Sequence, residues 1–186
     1  VSGGAHVDHS NKPVALLISV LALVLAFSET LGKAAQTSAL NDNIEAANLW
    51  SFYQAKTIRM TAVRIASESA ESMLGSLPEK LSPAVEKRIE DWRKTAARYD
   101  SEPDTQEGRK ELAARAKAAE ARRNHAMAAY HYYELSSAAV QIAIVLASAS
   151  IITAIPALVW IAGTLGVLGV LGCVTGYFWP TAIHLF

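Results

Sequence analysis

One cysteine in 186 residues, Cys173, excludes an intramolecular disulfide and leaves no thiolate set for zinc, so it reads as a small packing residue. The chain has no phosphate loop, dinucleotide fingerprint, HExxH helix or nucleophile elbow. His131 and Glu134 give half of the Glu-x-x-His pairing of bundle di-iron sites, in reverse order and without the second copy that chemistry requires. His125 and His131 share no close helix face, and His6, Asp8 and His9 sit in a polar, glycine-containing tail. No enzyme, cofactor or metal centre is therefore expected. Net charge is missing too: 17 basic residues balance 17 acidic ones, and from Ala34 to Ser137 there are 15 of each. A nucleic-acid partner needs a basic face, so that class is set aside.

Charge of either sign is absent from Ala138 to Phe178, a run of 41 residues without Asp, Glu, Lys, Arg or His. A bilayer crossing takes about 20 mostly apolar residues, so the run is long enough for two. Pro156 both ends one helix and suits the first turn of the next, which puts a turn at Thr153 to Ala157 between helices over 137–154 and 156–178. Trp160 and the trio Tyr177, Phe178 and Trp179 stand 17 to 19 residues apart. At 1.5 Å per residue that is about 26 to 28 Å, the spacing of two aromatic belts. A further apolar run, Pro13 to Phe27, continues in helical pattern to Gly32 and has no clean small-x-small cleavage site after it, so it is expected to be retained as the first span. The chain opens on Val1 rather than Met, and its natural start is expected upstream.

Glycine and proline are absent from Lys33 up to Gly75. Over that stretch Ile44, Ala47, Ser51, Ala55, Ile58, Ala62, Ile65, Ser69, Met73 and Leu77 recur at three and four residues, which predicts a long amphipathic helix continuing from the first span with this face inward. Gly75, Pro78 and Pro83 mark its end, with Ser82 as the expected N-cap of a helix over 83–98 that shows Val85, Ile89, Trp92, Ala96 and Tyr99 on one face. After an acidic loop at 100–108, Leu112, Ala116, Ala119, Arg123, Ala126, Tyr130, Tyr133, Ser137, Val140 and Ile144 form a heptad seam running into the second span. Residues near 33 should face those near 135, and residues near 75 those near 83. The expected fold is an all-α membrane protein: three transmembrane helices, with a long antiparallel helical-hairpin rod between helices one and two. Its segments are a polar tail 1–12, a span 13–32, an extramembrane hairpin 33–137 with loops near 75–83 and 99–108, two spans in 138–178, and a C-terminal tail 179–186.

Three groups of residues are candidates for function. Trp50, Phe52, Tyr53, Lys56 and Arg59 crowd three helical turns, and aromatics beside Lys and Arg are the residue types of protein-interface hot spots. Gly163, Gly166, Gly169, Gly172 and Gly176 in the third span are the small residues that let membrane helices approach closely. Glu29, with Gln141, places polar groups at the edge of the hydrocarbon, where an ionisable residue is a candidate for proton or ion traffic unless it pairs with Lys33 four residues on.

The stretch NLWSFYQAKTIR over residues 48–59 resembles an uncharacterised bacterial family of small membrane proteins known only as a domain of unknown function. The shared elements are an apolar first helix, an Ala- and Gln-rich exit, a closing apolar hairpin and a Trp-x-x-Tyr-Gln-Ala-Lys-x-x-Arg element, here Trp50, Tyr53, Gln54, Ala55, Lys56 and Arg59. The match is specific over 13–65 and looser over 83–107. The resemblance implies a bacterial membrane setting and no particular activity. The function expected is a non-enzymatic, membrane-anchored structural or accessory subunit acting through helical contacts with itself or a larger membrane complex, in addition to membrane lipids. A homo-oligomeric channel or transporter subunit using Glu29 and the glycine-rich helix is the alternative, and a regulator relaying a signal through the hairpin is a third reading. Lys33, Arg122 and Arg123 against Lys12 place the hairpin on the cytoplasmic side of an inner membrane.

Overall fold

The computed structural model describes residues 12–76, 78–79 and 81–181. The His6, Asp8 and His9 tail, most of the C-terminal tail and Leu77 lie outside these residues. Among them the chain is all helical: α1 Lys12–Leu74, α2 Ser82–Asp100, α3 Arg109–Thr153 and α4 Pro156–Phe178. Three of these, α1, α3 and α4, contain segments long and apolar enough to cross a membrane. The absence of Gly and Pro between Lys33 and Gly75 lets α1 run 63 residues without a break.

Pro156 opens α4 as foreseen, in a helical turn where its missing N–H costs nothing. The two-residue connection before it turns on Ala154, whose φ of 54° is left-handed and whose N–H closes the end of α3 on the Ser150 carbonyl at 2.9 Å. The start of α2 differs in detail from the expectation. Leu81 is the capping residue, and the Ser82 hydroxyl bonds the Glu86 carboxylate at 3.1 Å instead of a backbone N–H.

The helices gather into two units: residues up to Leu40 with those from Arg123 onward, and residues 41–122. In the first, Leu21, Val140, Ala143, Ala147 and Ala162 make the buried centre. Lipid supplies no apolar driving force, so close packing of small residues and internal hydrogen bonds have to hold such a bundle. Both are present. Ser28 of α1, fully buried, donates to the Tyr133 carbonyl of α3 at 2.9 Å, and Cys173 of α4 lies 3.4 Å from the same hydroxyl. Leu16, Val20, Leu23, Ile142, Val145, Ile152, Val167 and Leu168 point outward, as lipid-facing positions should. On α3 the foreseen seam holds at Tyr133 and Val140, while Tyr132, Ser136, Ala143 and Ala147 form a second buried line. That line exists because α3 has two neighbours in this unit, α1 and α4.

In the second unit, α1 is the long strut of a hairpin. Glu71 meets Arg93 of α2, and further back along α1 Lys56 meets Glu102, Tyr53 meets Arg109, Trp50 meets Glu120 and Asp42 meets Arg122. The order is antiparallel throughout, with α2 and then the start of α3 laid along α1. Ile89 and Ala96 of α2 and Leu112, Ala116 and Ala119 of α3 are buried, on the faces read from the sequence.

On α1 the inward face is another one. Ala46, Leu49, Lys56, Met60 and Ser67 are buried, with Asp42, Tyr53, Val63, Ala70 and Leu74 half-buried beside them. The expected inner face, Ile44, Ala47, Ser51, Ile58, Ala62, Ile65, Ser69 and Met73, is exposed, and only Ala55 of the described positions is half-covered. This corrects the reading of the hairpin seam. Both sets follow the same steps of three and four, and the apolar period does not say which of two stripes the partner helices cover.

Candidate functional site

The inner side of the hairpin is a polar knot as much as a core. Lys56 is 6% exposed, an unusual place for an ammonium unless it is paired. Its Nζ lies 3.7 Å from Glu102 and 4.0 Å from Glu107, both in the connection between α2 and α3, and over the rings of Phe52 at 5.6 Å and Tyr99 at 5.3 Å. Arg109 ties the other end of that connection. Its guanidinium donates to the Tyr53 hydroxyl at 3.0 Å, to Thr57 Oγ1 at 2.9 Å and to Asp100 at 3.2 Å. Glu111 reaches back to accept from Ser101 Oγ at 2.7 Å and the Glu102 N–H at 3.2 Å. The Ser101 bond holds the Glu111 carboxyl below its ordinary pKa, and the Lys110 bond does the same for Asp100. Gly108 is required at the close of the loop, since a side chain there would collide with Glu111 and with the backbone of Ser101 and Glu102.

The sequence-predicted patch divides across this arrangement. Trp50 donates its indole N–H to Glu120 at 2.8 Å and stands edge-on to Tyr53, ring centres 5.4 Å apart. Trp50 and Tyr53 pack on Leu49, Leu112 and Ala116 of their own chain. Trp50, Tyr53 and Lys56 are therefore committed within the hairpin, because α3 and the loop supply the acceptors and rings that complete them. Phe52 and Arg59 remain at the surface.

The outer side of α1 is what the sequence reading did not recognise as a surface. Ile58 is 70% exposed and Ile65 58%, with Ile44 and Met73 similarly open. The stripe from Ile44 through Ala47, Ser51, Ala55, Ile58, Ala62, Ile65 and Ser69 to Met73 contains no charged side chain. A helix face turned to water ordinarily carries charge. This one has the β-branched and small residues of a helix–helix contact.

In the membrane unit, four of the five glycines sit where a neighbouring helix leaves no room for a side chain. A Cβ on Gly166 would lie 2.5 Å from Leu21 of α1, on Gly169 2.5 Å from Val140 of α3, and on Gly176 2.8 Å from Tyr132; on Gly172 it would collide with Ser136. Gly163 faces open space and takes no part. Glu29 is exposed and accepts from Gln141 Nε2 at 3.3 Å, and Gln141 also reaches Ser137. No ion pair joins Glu29 to Lys33, so of the two arrangements left open by that spacing the paired one is not the one observed. His131 lies 3.8 Å from Glu134, and among the described residues no three His, Cys, Asp or Glu side chains are grouped so that they could hold a metal ion.

A family model described as DUF4337, domain of unknown function, matches residues 10–179. No curated protein and no solved structure matches the chain.

Proposed function

Since this chain belongs to the family DUF4337, a domain of unknown function, we propose its role from its own surfaces: it is a non-enzymatic, membrane-anchored structural or accessory subunit that works through helical protein contacts. The observation that carries this reading is the uncharged outer stripe of α1, Ile44 to Met73. Exposed apolar area of that extent on an extramembrane helix marks a contact surface. The partner is a second copy or a helix of a larger membrane complex, and anchoring both in one bilayer raises their effective concentration.

The setting that goes with it is a bacterial inner membrane, crossed three times, with the hairpin in the cytoplasm. Lys33, Arg122 and Arg123 support that orientation. An introduced cysteine at Asp104 should resist an impermeant thiol reagent in intact cells, and its labelling would reverse the topology. The channel alternative rests on Glu29, since Gly166, Gly169, Gly172 and Gly176 are occupied by contacts inside the chain.

The contact surface is tested by charge. Ile58→Glu or Ala62→Glu places a carboxylate in the middle of the stripe and should abolish assembly on gentle extraction, with helicity and thermal unfolding retained. Arg64→Glu, on another side of α1, is the control. If Ile58→Glu extracts in the same assembly as the parent chain, the stripe is not the contact and the proposal fails.

A further inference from the structure

Where the two long helices leave the apolar zone, the membrane unit opens a cleft of about 370 Å³ lined by Glu29, Lys33 and Gln36 of α1 and Tyr130, Glu134 and Ser137 of α3. We propose that this cleft binds the headgroup of a zwitterionic phospholipid whose amine is a primary ammonium, as in a phosphoethanolamine lipid.

Its depth is the first argument. After Lys12, Glu29 is the first charged residue of α1, and Glu134 is the last charged residue before α3 enters its apolar run. The charges that end the apolar run on each helix thus line one cavity. The end of α4 marks the same level: Gly176 packs on Tyr132 and Tyr133, and the adjoining Tyr177 and Trp179 are exposed, as aromatics at a headgroup boundary are.

The second argument is the arrangement of charge. Two carboxylates and one ammonium face the cleft, and they do not neutralise one another. Among the described residues, Glu29 accepts from the neutral amide of Gln141, Glu134 lies beside His131 at 3.8 Å, and Lys33 forms no ion pair. A ligand carrying both signs completes the set. Its phosphate goes to Lys33, with the Gln36 amide and Ser137 hydroxyl as further donors, and its ammonium goes to Glu29 and Glu134. An anionic headgroup would meet two carboxylates for one cation. A trimethylated amine has no N–H for carboxylates to accept, so a primary ammonium is selected by hydrogen bonding and not by charge alone.

The test uses the full chain in detergent, with dioleoyl phosphatidylethanolamine, phosphatidylcholine or phosphatidylglycerol added in mixed micelles, read by native mass spectrometry and thermal unfolding. The ethanolamine lipid should stay bound and raise the unfolding temperature, and the other two should do neither. Lys33→Gln and Glu134→Gln should each weaken that binding about tenfold, the loss of one charge-assisted hydrogen bond, while leaving unfolding without lipid unchanged. Equal retention of the choline lipid, preference for the glycerol lipid, or full binding by the Lys33→Gln Glu134→Gln double variant would overturn the assignment. Free phosphoethanolamine binding as well as the lipid would make the site one for a soluble ligand, which also refutes it. The readout is independent of assembly through α1.

Discussion

Consider adding a single methyl group to the third span at two places, Gly163→Ala and Gly169→Ala. Both substitutions gain helix propensity, on the order of 1 kcal/mol by measurements on water-soluble helices. They differ in what the new carbon meets. At 163 nothing lies within 4 Å, so the variant should be neutral or more stable than the parent. At 169 the new carbon would lie 2.5 Å from Val140 Cγ2 and 3.3 Å from the Ser136 carbonyl oxygen. Carbon atoms pack best at about 3.5–4.0 Å, so roughly 1 Å must be found. Val140 cannot readily supply it, being fully buried and, as a β-branched residue in a helix, held to one rotamer. The helices must therefore separate, which also loosens Gly172 over Ser136 and Gly176 over Tyr132. Overpacking of this kind costs about 1–3 kcal/mol. With about 2–4 °C per kcal/mol for a chain of this size, Gly169→Ala should melt several degrees below Gly163→Ala when both are followed by circular dichroism in the same detergent. Coincident melts would show that α3 and α4 do not approach at these glycines, and the packing described for the membrane unit would be refuted.

Other consequences can be checked on the same material. Trp50→Phe keeps the ring against Tyr53 but removes the N–H bonded to Glu120, and should cost about 1–2 kcal/mol in thermal unfolding, whereas Phe52→Ala, at the surface, should cost less. Asp100 and Glu111 have folded pKa values below their unfolded ones, so the stability they give is present above the ordinary carboxylate range, near pH 4, and is lost as pH falls through their folded values. Hydrogen exchange in residues 101–108 should therefore accelerate below about pH 4, and Glu111→Gln should show fast exchange there already at pH 7. Ser28→Ala removes a buried bond that joins α1 to the Tyr133 carbonyl and should destabilise the membrane unit by about 1 kcal/mol, measured by the same melts.

The helices and their ends were legible in the sequence because each rests on a local cause. The charge-free runs, the Pro156 turn and the stretch without Gly or Pro all act within a few residues of where they stand. Which side of α1 faces in was not legible. Ile44, Ile58 and Ile65 outrank Ala46, Lys56 and Ser67 in hydrophobicity, yet the latter are buried, since α2, α3 and the loop bring acceptors for Lys56 from Glu102 and Glu107. That compensation depends on residues about fifty positions away, which periodicity does not see. Trp50 and Tyr53, both half-buried, likewise find partners far along the chain, in Glu120 and Arg109, which periodicity does not pair with them. The glycines were legible because only close approach explains so many in one span, except Gly163, whose neighbour is missing. The cleft at the membrane edge could have been found by aligning the last charges of the two apolar runs, Glu29 and Glu134, a signal present in the sequence but split over more than a hundred residues.

The loop clamp around Lys56 also sets an order of events during synthesis. The ribosome finishes α1 before any residue of α2 or α3 exists, so the nascent helix emerges with Leu49, Lys56 and Met60 uncovered on one side and Ile58 and Ile65 on the other. Only when residues 109–122 have been made can the Arg109 and Glu111 contacts close and the inner side be withdrawn from solvent. Until then the chain is at its most vulnerable to off-pathway association, and a transcript truncated after Leu81 would leave it in that state permanently.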